Sequence, residues 1–77
     1  MSKLPKLSGK EVIRILCKEF GFEISRRKGS HISLVKFIGN GKITTIVPMH
    51  SELKTGTLLG ILRLAGIKKE VFLKKIK

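Results

Sequence analysis

Two glycine-containing turn signals separate three β-prone runs, and this arrangement constrains the fold more than any other feature. Gly29-Ser30 lies between residues 22–27, which alternate apolar and polar side chains, and residues 32–38. Gly39-Asn40-Gly41 separates the second run from residues 42–47, and an Asn-Gly pair favours a two-residue hairpin turn. The second and third runs are rich in the β-branched residues that suit strands. The sequence therefore predicts three antiparallel strands joined by two hairpins.

Helical patterns flank these strands. Ser8-Gly9-Lys10-Glu11 has the form of a capping box, so we expect a first helix from there to about Phe20. A second helix is predicted to end at Gly66, because glycine suits the left-handed position after a helix, and a short third helix follows. The apolar positions at helical spacing are Val12, Ile13, Leu16 and Phe20 in the first helix, Leu58, Ile61, Leu62 and Ala65 in the second, and Val71, Phe72 and Ile76 in the third.

The chain has 77 residues, which is enough for one small core. We expect one α+β domain over residues 1–77, of order α-β-β-β-α with a short C-terminal helix. Helices should cover one face of its three-stranded antiparallel sheet. No apolar run reaches the length of a membrane span, and the first residues lack the apolar stretch of a signal peptide. The predicted location is the cytoplasm, without a membrane partner.

The register of the second hairpin follows from its turn. If Asn40-Gly41 forms the two-residue turn, Leu34 faces Val47, and apolar side chains meet apolar side chains. The same register, continued past the proline that ends the third strand, brings His31 opposite His50 with about 5 Å between their Cβ atoms. The two imidazoles are thus predicted to share one site.

The first hairpin yields a second pairing. A three-residue loop of Lys28-Gly29-Ser30 aligns Ile24 with Leu34 and keeps both on the core face. It also places Arg27 opposite His31. A guanidinium at that point would bind a phosphate through two hydrogen bonds and favour negative charge developing on it.

The charge balance indicates the ligand. The chain has 17 basic and 5 acidic residues, for a net charge of +12, which attracts polyanions and above all nucleic acid. Histidine changes charge near neutral pH and can act as general base or general acid. We therefore predict an RNA-cleaving enzyme with His31 and His50 as catalytic residues; the alternative for His50 is an ordinary residue of the loop after the third strand. The predicted RNA-binding residues surround His31 in the sequence: Arg26, Arg27, Lys28, Gly29, Ser30 and Lys36.

The sequence gives little support for metal-dependent hydrolysis, nucleotide hydrolysis or zinc binding. The chain has no aspartate and its five glutamates are scattered, whereas two-metal hydrolysis needs converging carboxylates. No phosphate-binding loop with the P-loop lysine spacing occurs, and the two histidines lack further zinc ligands. We therefore expect no metal and no cofactor. The single cysteine, Cys17, lies among apolar helical positions and is predicted to belong to the core.

Several short motifs carry a family resemblance over nearly the whole chain. In order, they are Gly29-Ser30-His31, Val47-Pro48-Met49-His50, Lys54-Thr55-Gly56-Thr57-Leu58, Ile61-Leu62 and Ala65-Gly66. Their order and spacing in so short a chain resemble the HicA toxin family. The resemblance implies a fold like the double-stranded RNA-binding domain and an mRNA interferase activity that arrests translation. It also implies a HicB-type antitoxin partner and a catalytic role for His31, the histidine of the intact Gly-Ser-His motif.

The second strand suggests where a partner would bind. If Ile32 and Leu34 face the helices, Val35 and Phe37 lie on the opposite face beside His31, and exposed apolar area of this kind commonly marks an interface. The alternative is a local bulge that turns these two side chains inward. An alternative function uses the same basic sheet face in a non-catalytic RNA-binding module. Cleavage that depends on one imidazole would separate the two.

Overall fold

A computed structural model describes residues 4–76 of the chain. The three strands form one antiparallel sheet in the order β1-β2-β3, so β2 is central, and the α-β-β-β-α order with a third helix is confirmed. None of the helices in this range is long and apolar enough to cross a membrane. The elements are α1 (Gly9–Glu19), β1 (Glu23–Lys28), β2 (His31–Ile38), β3 (Gly41–Pro48), α2 (Thr55–Ala65) and α3 (Lys69–Lys75).

The start of α1 confirms the predicted capping box. The Ser8 hydroxyl oxygen accepts a hydrogen bond from the Glu11 backbone N–H at 3.0 Å, and the Glu11 carboxylate accepts one from the Ser8 backbone N–H at 2.8 Å. This second bond lowers the pKa of Glu11 below its usual value. The helix ends before Gly21, whose φ of 77° is the left-handed conformation that glycine adopts readily.

The helices cover one face of the sheet, which we call the helical face, and the opposite face is the open face. On β2 the alternation places Ile32 and Leu34 on the helical face and His31 on the open face. Cys17 is partly buried against the core, as expected, and burial raises its pKa. The buried core consists of Val12, Leu16, Phe22, Ile32, Leu34, Val47, Leu53, Leu58, Ile61, Leu62, Ala65 and Phe72.

The start of α1 is tied to the end of β3. The Gly9 backbone N–H donates to the carbonyl of His50 at 2.9 Å. A Cβ atom on Gly9 would overlap the carbonyl oxygen of Pro48, so only glycine allows the two backbones to approach this closely. The chain leaving β3 is therefore held against the first turn of α1.

The predicted register of the second hairpin is wrong by two residues. The turn is Gly39-Asn40 rather than Asn40-Gly41, and Gly39 has a φ of 54°. Leu34 consequently pairs with Thr45 and not with Val47. A shift of two residues leaves every side chain on its predicted face, so alternation alone could not reveal it.

A buried threonine accompanies the observed register. Thr45 lies on the helical face, and its hydroxyl donates to the backbone carbonyl of Ile61 in α2 at 2.9 Å. This bond satisfies the one polar side chain that is buried in the core of the described chain, and it links β3 directly to α2.

The first hairpin also differs from its prediction. Its loop is Gly29-Ser30, one residue shorter than expected, so Lys28 rather than Arg27 lies opposite His31. Directly opposed residues share a face, and Arg27 pairs with Ile32, which places Arg27 on the helical face.

A bulge in β1 compensates for the shorter loop. The register shifts between Ile24 and Arg26, where the extra residue is Ser25, and the predicted pairing of Ile24 with Leu34 is confirmed. The Ser25 hydroxyl donates to the carbonyl of Ser33 at 3.3 Å. Ile24 therefore lies on the predicted core face, although 46% of its surface is exposed at the edge strand.

Candidate functional site

His31 is the first residue of the central strand and is exposed on the open face. Lys28 is its register partner, which corresponds to about 5 Å between their Cβ atoms. The turn between them is tight because Gly29 takes a φ of 60°. The hairpin thus presents an imidazole and an ammonium group side by side at one end of the sheet.

The predicted pairing of His31 with His50 is wrong. His31 lies opposite Pro48, and the ladder continues for one further bond, in which the Met49 N–H donates to the Ser30 carbonyl at 2.6 Å. The carbonyl of His50 then accepts from the first residue of α1, which draws the chain toward the helices. His50 is therefore not the register partner of His31, and it lies where the chain leaves the sheet for α1.

The predicted RNA-binding residues divide between the two faces. Arg26 pairs with Ser33 and therefore lies on the open face with His31, as does Lys28. Lys42, which lies in no predicted site, pairs with Phe37 and adds a third cation to this face. Its position became evident only from the register, because turn-proximal lysines are common and carry no signal by themselves.

Lys36 does not lie on the face of His31. It pairs with Ile43 on the helical side and is half-buried. Its ammonium nitrogen lies 5.9 Å from the centroid of the Phe22 ring, within range of a cation–π interaction. Together with Arg27, Lys36 therefore lies on the helical face and not on the predicted face beside His31.

The two apolar residues predicted to bind a partner differ in exposure. Phe37 is 67% exposed on the open face. Val35 is only 6% exposed, so its expected exposure is wrong. It lies in the central strand with Glu23 on one side and Thr44 on the other, and flanking strands cover a central residue more fully than one near a turn.

The open face therefore combines an exposed imidazole, three cations and an exposed phenyl ring. Within residues 4–76, no three side chains of the His, Cys, Asp and Glu types converge as a metal site would require. What the arrangement offers chemically is attraction of a polyanion and proton transfer by an imidazole beside a cation.

Most of the chain matches a known protein family. A family model described as the HicA toxin of bacterial toxin-antitoxin systems matches residues 9–67. The match begins at the first residue of α1 and continues through all three strands and α2. No curated protein and no solved structure is significantly similar to the chain.

Proposed function

Because this chain belongs to the HicA toxin family of bacterial toxin-antitoxin systems, we propose that it is an RNA-cleaving toxin with His31 as its proton-transfer group. The observation that carries the proposal is the exposed imidazole of His31 opposite Lys28 on the open face. We further propose that the substrate is mRNA in the cytoplasm and that its cleavage arrests translation.

Cleavage through the ribose 2′-hydroxyl suits this arrangement. The unprotonated imidazole of His31 would remove the 2′-hydroxyl proton while the 2′-oxygen attacks phosphorus. The bond from phosphorus to the 5′-oxygen breaks, and that oxygen takes a proton from water. The hydroxide left behind takes the proton from the His31 imidazolium, which restores the neutral imidazole and the water. Lys28 would stabilise the charge that develops on the phosphate. The products are a 2′,3′-cyclic phosphate and a 5′-hydroxyl.

This scheme assigns no catalytic role to His50 and uses no metal. The expectation of metal independence rests on the sequence, which has no aspartate and only scattered glutamates. We therefore expect cleavage to continue in EDTA. Activity that is lost in EDTA and restored by Mg²⁺ would refute this part of the proposal.

The central experiment compares His31→Ala with His50→Ala. His31→Ala should reduce the cleavage rate by about 10²–10⁴-fold, the usual contribution of general acid–base catalysis. His50→Ala should retain cleavage, and both variants should retain most RNA affinity because lysine and arginine carry the phosphate contacts. Rates are measured on purified, folded protein, and the product ends are identified chemically.

Two outcomes would overturn this assignment. Undiminished cleavage by His31→Ala would remove the imidazole from the chemistry, and products with 5′-phosphate ends would exclude attack by the 2′-hydroxyl. RNA binding without cleavage by the wild-type protein would instead support the non-catalytic RNA-binding alternative.

We also propose that a HicB-type antitoxin inhibits the toxin by covering the open face. Phe37, at 67% exposure, is the apolar anchor that such an interface needs, and Lys28 and Lys42 can attract acidic residues of the partner. Val35 is too buried to add much area, although it lies under the same surface.

The test is co-purification of the antitoxin with Phe37→Glu. We expect the complex to weaken by about 2 kcal/mol or more, because a charge would replace a buried anchor. Leu64→Glu is a matched control, since Leu64 is a similarly exposed apolar residue on α2, at 59%. Equal weakening by both variants, or wild-type affinity in a folded Phe37→Glu protein, would exclude the open face as the interface.

A further inference from the structure

A second surface lies on the other side of the β1–β2 hairpin. A groove of about 480 Å³ runs between α1 and this hairpin on the helical face. Its apolar lining comprises Ile13 from α1, Ile24 and Ile32 from the two strands, and Met49 from the segment after β3. Ile24 and Met49 are 46% and 39% exposed, so the groove presents apolar surface to water.

Cations surround this apolar lining. Lys10 and Arg14 lie one turn apart on α1, and Arg27 faces them from β1. The acid in the groove is Glu11, whose carboxylate is already hydrogen-bonded to the Ser8 backbone N–H. Three cations less one anion leave a formal charge of +2 around an apolar slot.

We propose that this groove binds an acidic, amphipathic segment of a partner protein. Apolar side chains of the segment would fill the slot, and its carboxylates would pair with the cations at the rim. Amphipathic helices bind apolar grooves in this way, through apolar anchor residues that recur at three- and four-residue spacing. Methionine and isoleucine side chains are suited to such contacts, and methionine adapts to varied partners.

The lining favours protein over RNA as the occupant. Single-stranded bases are usually held by stacking on aromatic side chains or guanidinium planes. The groove has two guanidinium groups, Arg14 and Arg27, but no aromatic ring, and its four apolar side chains are aliphatic or thioether. Its apolar walls therefore complement leucine-like side chains better than the flat polar faces of nucleobases.

The groove and the open face lie on opposite sides of one hairpin. Arg27 and Ile32 face the groove, while Lys28 and His31 face the other way. A partner that engaged both surfaces would hold the hairpin from two sides. Identifying this partner with the antitoxin rests on the proposed function, whereas the ligand chemistry of the groove does not.

The test uses a phage-displayed library of random peptides of about 12 residues, roughly three helical turns. Selection on the wild-type protein should enrich peptides that combine Asp or Glu with Leu, Ile, Met or Phe at helical spacing. Ile24→Glu should weaken their binding by about tenfold or more, since it places a negative charge in the slot. Arg14→Gln should weaken peptide binding less than Ile24→Glu does. Added salt should reduce the difference in peptide affinity between Arg14→Gln and wild type.

Ile46→Glu is the matched control. Ile46 is also a strand isoleucine of similar exposure, at 48%, but it pairs with Ser33 on the open face. Peptide binding should be unchanged in this variant, and circular dichroism checks that each protein folds. Enriched peptides without acidic residues, or equal weakening by both variants, would overturn the proposal.

A short single-stranded RNA is the second probe. If Ile24→Glu and Arg14→Gln weaken RNA binding while no enriched peptide depends on them, the groove is a nucleic-acid surface and the proposal is wrong. RNA cleavage is measured separately. A wild-type protein that fails to cleave RNA would refute the proposed function and leave the peptide result intact.

Discussion

The two outer strands of the sheet differ in how the rest of the molecule covers them. β3 packs beneath α2, with Thr45 and Val47 buried. In β1 every residue is exposed, the register is interrupted by a bulge, and the strand ends in Arg26, Arg27 and Lys28. Both strands pair with the same central strand. The difference in burial therefore comes from the elements that pack on each strand and not from the backbone hydrogen bonds to β2.

The two strands therefore contribute to different properties, β3 to stability and β1 to recognition. Residues around β3 bury apolar surface and satisfy buried polar groups, and these determine the free energy of unfolding. Residues on β1 contribute charge that faces solvent on both sides of the sheet. Charge and a bulge also discourage an edge strand from pairing with another chain. Changes near β3 should therefore alter stability, and changes on β1 should alter binding.

The largest effect on stability is expected at the junction of α1 and β3. Gly9→Ala should destabilise the protein by about 3 kcal/mol, because the added methyl group overlaps the Pro48 carbonyl oxygen and forces two backbones apart. Urea unfolding measures the change. Gly60→Ala is the control, since its Cβ would meet open space in α2, and a gain of about 0.5–1 kcal/mol is expected. Similar values for the two variants would contradict the close approach at Gly9.

Thr45→Val tests the bond between β3 and α2. Valine has nearly the same shape, so the variant mainly removes the hydroxyl that donates to the Ile61 carbonyl. We expect a loss of about 1 kcal/mol in the free energy of unfolding. Ser33→Ala is a strand control on the open face. If Thr45→Val is as stable as wild type, the buried bond contributes nothing to the stability of this side of the sheet.

Ser8→Ala removes the cap of α1 and should cost about 1 kcal/mol. The partner Glu11 adds a pH dependence, because its pKa is lowered in the folded protein by the Ser8 backbone hydrogen bond. Its stabilisation is present above the unfolded pKa and is lost as the pH falls through the lower folded value. Wild type should therefore exceed Glu11→Gln in stability at neutral pH, and this difference in stability should disappear as the pH falls through the lowered folded pKa of Glu11. A stability difference between wild type and Glu11→Gln that grows at acidic pH would contradict a lowered pKa of Glu11 in the folded protein.

The smallest effect on stability is expected on β1. Arg26→Gln should change the free energy of unfolding by less than about 0.5 kcal/mol, because the side chain is exposed on the open face. If Arg26 contacts a phosphate, RNA affinity should fall and the slope of log affinity against log salt should decrease by about one. Binding titrations at several salt concentrations measure the slope. An unchanged slope would remove Arg26 from the RNA surface.

Short-range signals explain what could be predicted. The capping box at Ser8 and Glu11 and the left-handed glycine after α2, Gly66, act within one helical turn, and both are confirmed. The spacing of apolar side chains likewise predicts the order of helices and strands along the chain. The sequence marks Gly9 only as part of the capping box, because its contact with Pro48 involves residues that are far apart in the sequence.

The sequence by itself determined the α-β-β-β-α order, the helix start and the faces of His31, Ile32 and Leu34 in β2, because these depend on local bonding and on strand alternation. The tertiary structure decided the registers, and with them the neighbours of His31. A two-residue slip preserves alternation, and a bulge lets one hairpin change register partway along, so side-chain pattern alone leaves several pairings open. The choice among them depends on contacts such as Thr45 with α2 and His50 with α1, which exist only once the chain is folded.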